Sequence, residues 1–177
     1  MHRTWALIVC GGLIVSALIP RAYPQATSDP WGGLAFLAGD WIGESGGGPG
    51  QGTGEFSFEF DLQRHILVRR NRADYPASNG QSASRHDDLM VIYAARPGQP
   101  VEAVYFDSEG QVIRYERDTV SEGSVLRLVS RAQADTPRYR LTYRKTGTDT
   151  LEGEFEIAPP GKPEAFASYL TWKARRK

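Results

Sequence analysis

The sequence predicts an all-β protein of about ten antiparallel strands in up-and-down order, closed into a barrel, with a short helical turn near the N-terminus. Two observations lead there. From residue 40 onward apolar side chains recur at every second position, and no stretch sustains a helical period. The links between these runs are short and rich in turn formers. Strands joined this way form a meander, and closing the meander removes its two exposed edges. A two-sheet sandwich is the alternative architecture.

In chain order, the first segment reads as a targeting sequence. His2 and Arg3 precede an uncharged apolar run from Trp5 to Ile19, and small residues and turn formers fill Pro20 to Ala26. This is the outline of a secretory signal peptide covering residues 1–26, with residues 27–177 as a single domain. The run is interrupted by Gly11 and Gly12 and falls short of the roughly 20 residues a membrane span needs. Cys10 is the only cysteine and lies inside that run, so the mature chain has no thiol chemistry and no disulfide. The expected location is therefore exported, periplasmic or secreted.

Asp29 to Leu37 reads as the helical turn, with Asp29 as its cap, Pro30 at the first position, and Leu34, Phe36 and Leu37 as its apolar residues. The strands follow at roughly 40–46, 52–62, 65–75, 86–95, 100–107, 110–118, 124–131, 137–145, 149–157 and 164–175. "GEFSFEFDL" sets Phe56, Phe58 and Phe60 against Glu55, Ser57 and Glu59. "RYRLTYRK" sets Tyr139, Leu141 and Tyr143 against arginines and Thr142, and "LEGEFEI" sets Leu151, Phe155 and Ile157 against glutamates. "FASYLTW" carries Phe166, Leu170 and Trp172 at even spacing. The connections are "LQRH", "RPGQ", "DSEG", "VSEGS", "KTGTD" and "APPGKP", with Pro76 to Arg85 the longest. The tract "SGGGPGQGTG" links the first two strands.

"GDW", Gly39-Asp40-Trp41, heads the first strand directly after the helical turn. It resembles the G-x-W signature of the calycin barrels, which include lipocalins, fatty-acid-binding proteins and nitrobindin-like haem proteins. "FLAGDW", the glycine-rich first hairpin, "FSFEFDLQRHILVRR" and a last strand ending "YLTWKARRK" together look most like the uncharacterised bacterial calycin-like family known as DUF1579. The resemblance spans Leu34 to Lys177. It implies that Trp41 seals one end of the barrel beneath a cation from the last strand. Lys173, Arg175 and Arg176 are available, and Arg175 is the expected partner, with Gly39 and Trp41 completing the plug.

Removing Arg3 and Arg21 from a balanced chain of 21 basic and 21 acidic residues leaves a mature charge of about −2, so no basic field for nucleic acid exists. Arginine dominates the basic residues, 17 against 4 lysines. The mature chain has no nucleophile elbow, zinc-protease helix, Walker loop or dinucleotide fingerprint. No catalytic residue is assigned. His65 lies in a tight turn. His86 and Asp88 share one side of a strand, but two ligands do not make a metal site. Nitrobindin-like barrels bind haem through a late histidine, and none follows His86, so no metal and no cofactor are expected.

The remaining signal is polar groups on apolar faces. In "ILVRRNR", Arg70 follows Ile66 and Val68 on one parity, which places it inside if they are inside. "QVIRYER" brings either Arg114 or Tyr115 inward. Tyr105, Tyr139 and Tyr143 add hydroxyls. With Phe58, Phe60 and Phe155, these residues form the expected ligand-binding set: Phe58, Phe60, Arg70, Tyr105, Arg114, Tyr139, Tyr143 and Phe155. Arginine among aromatic rings suits a carboxylate on an apolar body. The expected function is non-covalent binding of a small apolar or carboxylate-bearing molecule. The rivals are an enzyme of unknown reaction in the same cavity, a haem-binding barrel, and an adaptor whose barrel is filled.

Overall fold

The computed structural model describes residues 31, 33–44, 52–77, 80, 82–96, 99–118 and 123–177. Ten strands form one closed antiparallel barrel in which every strand pairs with its chain neighbour and the last pairs with the first. They are β1 (Gly39–Glu44), β2 (Thr53–Asp61), β3 (Ile66–Tyr75), β4 (Ser84–Ala94), β5 (Val101–Asp107), β6 (Val112–Arg117), β7 (Val125–Ser130), β8 (Arg138–Lys145), β9 (Thr150–Ala158) and β10 (Ala167–Arg176). The barrel excludes the sandwich. Residues 1–26, expected to be a signal peptide, with Cys10 among them, and Asp29, Pro30 and most of the glycine-rich tract lie outside the described residues.

The helical turn is a single 3-10 turn, Leu34–Leu37, and it starts after Gly33, whose φ is 87°. Leu34 and Leu37 are buried. They pack with Trp31 and Trp41 into the core cluster and cap one end of the barrel.

Inward faces follow from register, because side chains directly opposite each other across an antiparallel pair share a face. Trp41 faces Phe56, Phe58 faces Arg69, and Phe60 faces Leu67. Further round, Arg69 faces Met90, Met90 faces Tyr105, and Ala103 faces Tyr115. The inner face of β3 is therefore Leu67, Arg69 and Asn71, and Arg70 points outward and is exposed. This corrects the expected face of Arg70. The apolar run Ile66–Val68 fills both parities, and Val68 is buried on the outer side against a sheet face that also carries Val91 and Val104. Alternation alone cannot choose a face there.

The β2–β3 turn is strained. Leu62, Gln63 and Arg64 have φ of 47°, 57° and 66°. Left-handed backbone costs about 1–2 kcal/mol for each such residue. Long-range contacts hold the turn: Trp31 Nε1 donates to the Arg64 carbonyl at 2.8 Å, and the Arg64 guanidinium lies 3.9 Å from the centre of the Phe60 ring. His65 is exposed in this turn, as expected.

One glycine makes room inside. A Cβ on Gly153 would meet the Trp172 ring at 2.0 Å, so the indole lies flat against β9 only because that position lacks a side chain.

Candidate functional site

The sealed end comes first, since it limits where a ligand can enter. The Trp41 ring is buried and its Nε1 donates to the Leu37 carbonyl at 2.8 Å. The Arg176 guanidinium lies 4.4 Å from the ring centre and donates to the carbonyl of Ala38 at 2.7 Å. The plug cation is therefore Arg176, not Arg175. Register decides it: Trp41 pairs with Arg176, whereas Arg175 pairs with Ile42 and is exposed on the outer face. Gly39, with φ of 130°, lets this happen, because a Cβ there would meet Arg176 Nη1 at 2.1 Å.

Away from the plug, the inner face stays partly open. Asn71, Tyr105, Tyr139, Phe155 and Trp172 all point inward yet are only half-buried. Leu170, paired with Phe155, keeps 41% of its surface exposed. The Tyr139 and Phe155 rings stack at 5.7 Å, and Tyr169 meets Phe155 edge-on at 6.2 Å.

Beneath these rings lies a polar network; sequence reasoning put His86 and Asp88 on one side of a strand but missed Arg69, Asn71 and Glu109. Arg69 is 6% exposed and pairs with Asp88 Oδ1 through Nη1. Asn71 Nδ2 donates to Asp88 Oδ2 at 2.9 Å, and His86 Nε2 lies 3.3 Å from the same oxygen. His86 also reaches the Tyr105 hydroxyl at 3.1 Å and, through Nδ1, Glu109 Oε2 at 2.8 Å. The Arg69 guanidinium sits 5.5 Å from the Phe56 ring centre and 5.9 Å from that of Tyr143. Arg69 Nε and the Tyr143 hydroxyl lie enclosed at the centre of this region, and Arg69 hydrogen-bonds that hydroxyl.

Burial sets the proton affinities here. It pushes the Tyr143 hydroxyl up to about 12, against the pull of the Arg69 charge. It raises Tyr105 and Tyr115 as well. For Arg69 burial opposes the charge, but facing Tyr143 and Asp88 outweigh it and the guanidinium holds its proton more tightly than usual. At the rim, slight burial acts to raise Glu109, but hydrogen bonding and charge from His86 win and lower it.

Of the expected ligand-binding set, the fold brings Phe58, Tyr105, Tyr139, Tyr143 and Phe155 together on the inner face. Phe60 also points inward, but it packs edge-on against Trp31 at 5.1 Å, at the sealed end. Arg114 points outward and is exposed, because Tyr115 takes the inner position opposite Ala103. Arg70 lines an open groove of about 610 Å³ along β1–β5, beside Leu89 and Phe106, whose lining also includes Asn71 and Asp88 of the polar network. Among the described residues, no group of three or more His, Cys, Asp or Glu is placed to hold a metal, and no helix is long and apolar enough to cross a membrane.

The half-open aromatic face can take apolar surface, and the Arg69–Asp88–His86 network beneath it gives that face a polar floor. No protein-family model matches the chain, and no curated protein matches it. The closed ten-stranded antiparallel barrel is compatible with a calycin-like fold.

Proposed function

We propose that the protein is an exported binding barrel of the DUF1579-like calycin type, holding a small, largely apolar molecule non-covalently between the half-open aromatic face and the Arg69–Tyr143 floor. The observation that carries this reading is the inner aromatic face left half-buried away from the plug, beside which Leu170 keeps 41% of its surface exposed. A partly uncovered apolar and aromatic concavity is what a small-molecule site offers. The half-buried Tyr105, Tyr139, Phe155 and Trp172 supply the apolar walls. Binding needs no covalent step and no group beyond these side chains.

Native mass spectrometry of protein purified from its source envelope tests the reading. A retained small molecule, lost on denaturation, supports it. A mass equal to the bare chain, with no small molecule released on extraction, favours the filled adaptor. Export is tested on the same preparation by N-terminal sequencing. A start between Tyr23 and Asp29 supports removal of residues 1–26, and a chain beginning at Met1 refutes it.

A further inference from the structure

We infer that the outer wall of the barrel carries a second site, a groove across β1–β5 that takes an amphiphilic anion: a carboxylate head on Arg70 with an apolar tail laid over Leu89 and Phe106. This site lies apart from the inner face and does not depend on the binding reading above.

Register puts the groove outside. Asp40, Ser57, Arg70, Leu89 and Phe106 stand opposite one another strand by strand, on the parity that points outward. Glu55, Arg72 and Asp87 form a parallel outward row two residues along. Both rows line the groove, and so do residues between the rows, Asn71 and Asp88 among them. Arg69, His86 and Tyr105, which flank that middle row on the inner face, do not line it. The volume of about 610 Å³ falls in the range of small-molecule sites, roughly 300–1,000 Å³.

Charge and apolarity then set the occupant. Arg70, Arg72 and Lys177 are the cations that line the groove. Arg72 Nε meets Asp87 Oδ1 at 3.2 Å, and Lys177 Nζ meets Glu55 Oε2 at 3.1 Å. Arg70 is exposed, and among the described residues its guanidinium has no ion pair and no hydrogen bond. A planar carboxylate matches that fork with two parallel hydrogen bonds. The Asp40 carboxylate stands two strands away on the β1 side and disfavours an anion from that direction. On the other side the row turns apolar. Leu89 is half-buried, Phe106 keeps 41% of its surface exposed, and Val112, opposite Phe106 on β6, keeps 57%. From Arg70 to Val112 is three strand spacings, about 14 Å. The head therefore sits on Arg70 and the tail runs toward β6, covering apolar side chains that water otherwise wets. An alcohol lacks the charge that Arg70 complements, and an ammonium is repelled by it.

The test titrates the protein with three probes of one tail, octanoate, octanol and octylamine, and follows its methyl groups by NMR at neutral pH. Octanoate should bind at least about threefold tighter than the other two, the size of an exposed charge pair. It should shift the outward methyls of Leu89 and Val112 and leave the inward ones of Leu141 and Leu170 in place. Arg70→Ala, at an exposed position, should erase the preference for octanoate, and Arg70→Lys should keep part of it. Phe106→Ser should weaken octanoate and octanol alike, by about threefold or more. Equal affinities in the wild type, a preference that survives Arg70→Ala, octanoate binding indifferent to Phe106→Ser, or no shift at Leu89 and Val112 overturns the inference. Shifts confined to Leu141 and Leu170 overturn it as well and count for the inner site instead, so the two readings fail separately.

Discussion

At one end of the barrel Arg176 lies over the Trp41 ring and donates to the Ala38 carbonyl; further along the same interior Arg69 sits among Phe56 and Tyr143, paired with Asp88. Both arginines face inward and both touch aromatic rings. They differ in what satisfies them. Arg176 is a third exposed, meets Asp149 at 3.2 Å, and spends its remaining donors on backbone carbonyls. Arg69 is buried and is satisfied by the Asp88 carboxylate and the Tyr143 hydroxyl on other strands. The first arrangement fastens the end of the barrel to backbone. The second depends on side chains alone, so losing its carboxylate strands a buried charge.

The sharpest way to break this contrast is to remove the carboxylate. Asp88→Ala should destabilise the protein by about 3–5 kcal/mol, because it strands a buried guanidinium. Replacing both partners, Arg69→Met with Asp88→Leu, should restore stability to near wild type or above it. Urea denaturation of the two variants beside the wild type reads this. A double variant as unstable as Asp88→Ala would mean the pair does more than satisfy itself.

Trp41→Ala at the sealed end should cost a comparable amount, about 3–5 kcal/mol, but through lost packing. No polar substitution should rescue it. Arg176→Ala should cost about 0.5–2 kcal/mol, and less once Trp41 is gone. Arg175→Ala should stay within about 0.5 kcal/mol. A larger loss at Arg175 than at Arg176 would reverse the assignment of the plug cation.

The alkaline range separates the two regions by proton rather than by mutation. The Tyr143 hydroxyl is held up at about 12, above its ordinary 10.0. The folded chain therefore keeps a proton that the unfolded chain releases. That stabilisation is complete below pH 10 and is lost as pH rises through about 12, amounting to about 3 kcal/mol. Tyr143→Phe should flatten the decline between pH 10 and 12 in chemical denaturation, while Arg176→Ala should leave its slope unchanged.

The smallest expected effect is at neutral pH in the unliganded protein. Tyr143→Phe removes a buried hydroxyl that Arg69 hydrogen-bonds and should lower stability by about 1 kcal/mol, read by urea denaturation. No loss of stability would show that the hydroxyl contributes nothing to the Arg69 cluster.

Period-two alternation and short turn-rich links were enough to predict a ten-stranded antiparallel barrel, and the Gly39–Trp41 signature placed the plug. The reason is local: which residues alternate, and where the chain must turn, are written in neighbours two to four positions apart. The face of Arg69 was half legible. With Phe60 inward, the "LQRH" turn sets Leu67 opposite it and so carries Arg69 to the face of Phe58. The apolar Ile66–Val68 run hid this, since either parity looks like a core. Likewise "ARRK" offers adjacent arginines, and only pairing with β1 tells Arg176 from Arg175. A slip of one residue flips every side chain to the other face, so alternation within a single strand cannot settle the matter. Asp88 beneath Arg69, and Glu109 against His86, are contacts across 19 and 23 residues of chain. Asp88 comes from the next strand and Glu109 from the β5–β6 turn, and only the register of β3, β4 and β5 brings those charges together, because a buried guanidinium is tolerable only where another strand delivers its carboxylate.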